Sequence, residues 1–130
     1  MVGLGRPIGT GIRLKSIRNQ PERELHRGLV QYLHRLAKPE VLWWHTPNGG
    51  YRHPATAKAM KLLGTLAGVP DLSFFYKGSF RNIELKAKGG SMSPSQEAFK
   101  TKLEANGGHY LLADNLDDAL SFLSIAGILR

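Results

Sequence analysis

The chain has 130 residues, the length of one domain able to bury a core, and its 42% hydrophobic content is too high for a disordered segment. Eighteen Lys and Arg stand against 10 acids, a net charge of +8, which points to a polyanionic partner and above all to nucleic acid. There is no cysteine, which excludes disulfides, thiolate zinc sites and cysteine nucleophiles, and no apolar run approaches the ~18 residues of a membrane span.

The first residues carry no sustained apolar block and no cleavage-site pattern, so a cytoplasmic location is expected. Residues 1–20 hold Arg6, Arg13, Lys15 and Arg18 without an acid and read as a basic flexible arm, lying along phosphates or ending in disorder. Residues 21–130 make the folded domain. Pro21 opens the first helix, in which Leu25, Leu29, Leu33 and Leu36 repeat at helical spacing, and Pro39 stops it. Residues 41–46 read as an aromatic-rich strand whose Trp43 and Trp44 alternate faces, one toward the core and the other exposed or at an interface. Pro47-Asn48-Gly49-Gly50 breaks this strand. Pro54 fits the first position of a second helix, with Met60, Leu63 and Ala67 on one side and Gly68 as its stop.

Residues 71–76 and 80–88 read as two strands joined by a tight turn at Lys77-Gly78-Ser79, the second closed by Gly89-Gly90. Ser93-Pro94-Ser95-Gln96 starts a third helix that ends at Gly107-Gly108. A short strand over 109–113 follows, and Asp114 or Asn115 caps a last helix to about Ala126. The apolar end of that helix packs on the sheet or joins a second subunit. The order α, β, α, β, β, α, β, α gives one α/β domain with a small mixed sheet flanked by helices.

Asp71 is the only acid between Glu40 and Glu84. On the strand over 80–88, Ile83, Leu85 and Ala87 take one face, while Asn82, Glu84, Lys86 and Lys88 take the other. A two-residue turn at Lys77-Gly78 sets Asp71 opposite Glu84; a turn at Gly78-Ser79 sets it opposite Lys86. Either register brings the two carboxylates within about 4.5–8 Å at Cβ. Carboxylates that close repel, and a cation between them resolves the repulsion. Oxygen ligands without thiolates suit Mg²⁺ first and Mn²⁺ second, and such an ion activates water and stabilises a leaving oxygen. Lys86 then orients the attacking water or neutralises charge growing on phosphorus.

Gly68-Val69-Pro70-Asp71-Leu72, Ile83-Glu84-Leu85-Lys86-Ala87-Lys88-Gly89-Gly90 and Ser93-Pro94-Ser95-Gln96 with Phe99 resemble the VRR-NUC family of the PD-(D/E)XK nuclease superfamily, over roughly residues 22–120. The resemblance implies a restriction-endonuclease-like αβββαβ core and a metal-dependent nuclease. It implies Asp71 and Glu84 as metal ligands, the Leu85 carbonyl as a further one, and Lys86 as the catalytic lysine. It also implies a Glu on the first helix. Glu22 and Glu24 compete for that role, and the 100° turn per residue puts Glu22 on the Leu25/Leu29/Leu33 face. His26 stands where family members often carry Gln. Gln96 belongs to the site by the resemblance, yet it also fits a capping box with Ser93. Stand-alone members look like structure-specific endonucleases, some acting on four-way junctions as dimers. A homodimer cutting branched DNA is therefore expected. The rivals are a non-catalytic nucleic-acid-binding module of the same fold and an RNA-directed nuclease.

Asn48, Gly49 and Gly50 offer backbone amides to a phosphate or simply make a turn. Arg52, Lys58, Lys61, Lys77, Lys88, Lys100 and Lys102 are candidates for phosphate contact, each alone more often a solvated surface charge, and Lys88-Gly89-Gly90 is best placed, just beyond Lys86. The histidines are scattered, none pairs at a zinc-helix spacing, and no histidine metal site is expected.

Overall fold

The computed structural model describes residues 11–47 and 53–130, with the backbone alone for 11–20. Eight elements follow in chain order: α1 (Gly11–Leu36), β1 (Leu42–His45), α2 (Pro54–Leu62), β2 (Leu72–Tyr76), β3 (Ser79–Leu85), α3 (Pro94–Ala105), β4 (His109–Ala113) and α4 (Leu116–Ile125). The sheet order is β1-β2-β3-β4. The first three strands are antiparallel neighbours and β4 runs parallel to β3. A parallel neighbour needs a crossover, and α3 supplies it.

Three boundaries depart from the sequence reading. Helix α1 starts at Gly11 and runs through Pro21, so the second half of the expected arm is helical and the first half, residues 1–10, lies outside the described residues. A proline is read as a helix start because its interior cost is high, but its fixed φ is helical and the helix continues past it. Helix α2 stops at Leu62, not Gly68: Gly64 takes φ +95, a left-handed turn that ends it early. Strand β3 ends at Leu85 rather than at Lys88. Beyond it the Lys86 N–H still bonds the Ala113 carbonyl, and the chain then turns at Gly89 (φ +83).

The hairpin turn fixes everything that follows. Lys77 (φ 48) and Gly78 (φ 78) are both left-handed, the two-residue turn whose twist matches the strands. Tyr76 therefore pairs with Ser79 and Leu72 with Ile83, and Asp71, one residue before β2, stands across from Glu84.

Because paired residues share a face, the sheet divides cleanly. One face carries Leu72, Phe74, Ile83, Leu85 and Ala113, and Leu29 and Leu33 of α1 and Ala119 and Leu123 of α4 seal it into a single core. Trp43 packs at the margin of this core, stacked on Phe74, while Trp44 is exposed on the other face. That other face carries Ser73, Asn82 and Glu84, all buried, and Tyr110. Ser73 donates to Asn82 Oδ1 at 2.9 Å, which satisfies part of this polar layer. The first turn of α3 lies over Glu84. Farther along the same face Leu42, Trp44 and Phe75 remain exposed.

Candidate functional site

The site sits at the end of the sheet where β2 begins and β3 ends. Its placement starts with Gly68 and Pro70. Gly68 has φ +83, and a Cβ there would run into the Ser95 carbonyl, so only glycine lets the chain pass under the start of α3. Pro70 is fully buried and delivers Asp71 to the sheet end. The Asp71 carboxylate then accepts the Leu85 N–H at 2.8 Å through Oδ2. Its backbone carbonyl accepts the Thr46 N–H at 3.0 Å and lies 2.7 Å from His45 Nδ1. Asp71 is thus tied to β1 and β3 together.

Glu84 is buried on the polar face. Its Oε2 accepts a hydrogen bond from Gln96 Nε2 at 2.9 Å and lies 3.8 Å from Lys86 Nζ. Its Oε1 is buried without a partner among the described residues. Burial, reinforced by the Asp71 carboxylate, pushes the Glu84 carboxyl up to about 7, and Lys86 offsets only part of this. Tyr110, on the neighbouring strand, is pushed above the usual phenol range by burial and then by Glu84 and Asp71, and its hydroxyl too lacks a partner among the described residues.

The two readings of Gln96 turn out to be one arrangement. Ser93 Oγ accepts the Gln96 N–H at 3.2 Å, and Gln96 Oε1 accepts the Ser93 N–H at 2.9 Å, a complete capping box. With its carbonyl oxygen committed to the cap, the Gln96 amide has to present its NH₂ to Glu84. The helix cap orients the group that touches the carboxylate.

Glu22 lines a cleft of about 320 Å³ with Arg23, His26, Arg27 and Asp71, and its charge is felt by both Glu84 and His26, whereas Glu24 is exposed. A second cleft of about 690 Å³ runs between α2 and the start of α3, lined by Thr46, Lys61, Gly68, Ser95 and Gln96 among others. Lys88 and Gly89 are exposed just past β3. Lys100 is paired with Glu104 at 3.1 Å along α3. Asn48, Gly49 and Arg52 lie outside the described residues.

Sequence reasoning missed the histidines. His26, His45 and Asp71 each bring a ligating atom within 4.8 Å of the others. Burial, and next the neighbouring His45, hold the His26 imidazole below its ordinary range against the opposing pull of Asp71 and Glu22. The signal was present in two places. His26 follows Glu22 by one helical turn, and an antiparallel β1–β2 pair puts His45 opposite Leu72, next to Asp71. Neither shows as a spacing along the chain. Arg23 and Arg27 were missed as well, because nothing in a helical pattern marks them off from other surface cations.

The donor set fits a hard divalent ion. Two carboxylates stand across from each other on neighbouring strands, and Glu84, raised by burial first and by Asp71 second, carries a buried oxygen without a hydrogen bond from the described residues. Among the described residues no helix is long and apolar enough to cross a membrane.

No family model matches the chain, and no curated protein does. Solved structures do. One named "VRR_NUC domain protein" is 21% identical, with a TM-score of 0.64 over 79% of this chain and 84% of its own. Another named "VRR_NUC domain" is 13% identical, with a TM-score of 0.54 over 80% of this chain and 95% of its own. The chain has the fold of these proteins: among the described residues, four helices around an open four-stranded mixed sheet, the small restriction-endonuclease-like α/β architecture.

Proposed function

We propose that the protein is a divalent-metal-dependent endonuclease that hydrolyses DNA phosphodiester bonds, acting on four-way-junction or otherwise branched DNA. The observation that carries this reading is Glu84: a buried carboxylate facing Asp71, with one oxygen held by Gln96 and the other unpartnered among the described residues. A carboxylate buried in that state takes up either a proton or a cation, and its raised pKa shows how weakly the chain alone holds it charged.

Asp71, Glu84, the Leu85 carbonyl and Glu22 would hold Mg²⁺ or Mn²⁺. Such an ion, when bound, acidifies the attacking water, polarises the phosphoryl oxygen and stabilises the leaving oxygen. Gln96 fixes the Glu84 carboxylate. The Lys86 ammonium, 3.8 Å from Glu84, orients the nucleophile or neutralises charge growing on phosphorus. Arg23, Arg27, Lys88, the Gly89 backbone and Lys100 supply phosphate contacts, together with Asn48, Gly49 and Arg52. One subunit carries one such centre, so symmetric cutting of two strands calls for a homodimer. The exposed Leu42, Trp44 and Phe75 on the open part of the sheet suit that contact.

A panel of duplex, flap, splayed-arm and four-way-junction substrates with Mg²⁺ and Mn²⁺ tests the proposal. Cleavage confined to branched DNA, lost in Asp71→Ala with DNA binding kept, is the expected result. Absence of cleavage by the unmodified protein with any divalent ion would leave a nucleic-acid-binding module instead. A parallel digest of labelled RNA distinguishes an RNA-directed enzyme.

A further inference from the structure

We propose that His26, His45 and Asp71 form a binding site for a borderline divalent transition ion of the Co²⁺ and Zn²⁺ class, which Mg²⁺ does not fill. The site shares Asp71 with the nuclease reading but stands whether or not the protein cleaves DNA.

The three side chains come from three elements that converge at one corner: α1, the end of β1 and the start of β2. Their ligating atoms all lie within 4.8 Å of one another. Ions of this class hold imidazole nitrogen and carboxylate oxygen at about 2.0–2.2 Å, so ligands on one ion sit at most roughly 4.4 Å apart. A small rotation of either ring closes the difference.

The tautomer of His45 is fixed, with Nε2 as the nitrogen left to ligate. Its Nδ1 lies 2.7 Å from the Asp71 carbonyl, which can only accept, so Nδ1 carries the proton and Nε2 keeps its lone pair. Metal-binding histidines are held in this way, with the second ring nitrogen donating to a carbonyl or carboxylate. The Asp71 carbonyl is itself fixed by the Thr46 N–H at 3.0 Å, which locks the ring to the β1–β2 register. Asp71 therefore serves the cluster twice, as ligand through its carboxylate and as orienter through its backbone. The Asp71 charge offsets part of the ion's charge, and Glu22 lines the same cleft. Arg23 and Arg27 also line it, but they are exposed and screened by water.

Ligand chemistry sets the ion. Imidazole suits Zn²⁺ and its neighbours, whereas Mg²⁺ prefers oxygen throughout. Two of three side-chain donors here are imidazoles. The plain alternative is packing: the His26 and His45 rings meet edge to face at 4.4 Å and 89°.

Co²⁺ is the probe, because its visible absorption reports nitrogen ligation. Metal-free protein titrated with Co²⁺ is expected to develop visible bands at one equivalent, bleached by Zn²⁺ and unaffected by millimolar Mg²⁺. His26→Gln and His45→Gln are each expected to weaken Co²⁺ binding by about tenfold or more. In the unmodified protein, two of the 5 histidines should show large paramagnetic ring shifts on adding Co²⁺, which keeps the test independent of how the variants fold. Unshifted His26 and His45 signals, or displacement of Co²⁺ by Mg²⁺ on equal terms, would overturn the inference and leave the rings as a packing pair. Its failure is separable from that of the nuclease reading, which is judged by Mg²⁺-supported cleavage and by loss of that cleavage in Glu84→Gln.

Discussion

The β2–β3 hairpin and helix α2 flank the same end of the molecule, and they are held in opposite ways. The hairpin is fastened on both faces, with Leu72, Phe74, Ile83 and Leu85 in the core and Ser73, Asn82 and Glu84 buried on the far side. Helix α2 buries no residue at all. Leu62 and Leu63 on its last turn are 82% and 87% exposed, and Leu66 in the loop beyond is 59% exposed. The Asp71 and Glu84 carboxylates of the site hang on the first region; one wall of the larger cleft belongs to the second. A fastened pair of carboxylates thus stands beside a wall that packing does not fasten, so one part keeps its geometry while the other has room to adjust.

The largest effect expected from this contrast is in the hairpin core. Phe74 is fully buried and stacks on Trp43. Phe74→Ala should cost about 3–5 kcal/mol, measured by urea unfolding. A loss below about 1 kcal/mol would mean that the hairpin is not the fastened region described here.

Next comes the joint between the two regions. At Gly68 a side chain is opposed twice, by φ +83 and by the Ser95 carbonyl. Gly68→Ala should cost about 1–3 kcal/mol. It should also move Ser95 and so disturb the neighbouring Gln96, whose amide holds Glu84. Unfolding curves of Gly68→Ala and Gln96→Ala, compared with the double variant, check the link: coupled effects fall short of the sum, whereas independent sites add.

These two positions also show how far the chain could be read. The order of the eight described elements, the sheet residues of the hairpin and the nearness of Asp71 to Glu84 follow from alternation, a tight turn and one proline, which are local signals, but the choice between Glu84 and Lys86 as the residue opposite Asp71 needs the fold. The Gly68 pattern was quoted as a motif, but its cause, a contact with a helix 27 residues farther on (Ser95 less Gly68), is not local and no periodicity reveals it. The same holds for His26 and His45, which meet through tertiary packing alone. The start of α1 and the end of α2 differ from the sequence reading because proline and glycine do not act only as punctuation. In the folded chain Pro21 sits inside a helix, and Gly64, rather than Gly68, takes the left-handed turn that ends α2.

A third expectation concerns charge in the fastened region. The Glu84 carboxyl is raised from 4.5 to about 7 in the folded protein, by burial first and Asp71 second. Between those values the native state holds a proton that the unfolded chain releases, so this contribution to stability is full below 4.5 and is lost as pH rises through about 7. Metal-free protein should therefore lose stability across that window, and Glu84→Gln should flatten the slope. Denaturant unfolding in the presence of a chelator, at several pH values for both proteins, reads it out. A divalent ion should reverse the trend in the unmodified protein, because binding favours the deprotonated carboxylate.

The smallest expected effect tests the other half of the contrast. Leu63 caps the end of α2 with its backbone, donating to the Ala59 and Met60 carbonyls, while its side chain lies almost wholly in solvent. Leu63→Ser keeps the backbone donor and removes only the exposed side chain, so its effect on the folding of a single chain should stay within about 0.5 kcal/mol. Unfolding midpoints at two protein concentrations make this decisive. If Leu63→Ser lowers the midpoint only at the higher concentration, the leucines of α2 are covered by a second copy of the chain and the loosely held wall is an interface. If it lowers the midpoint equally at both, by more than about 1 kcal/mol, α2 packs within its own chain and the contrast between the two regions fails.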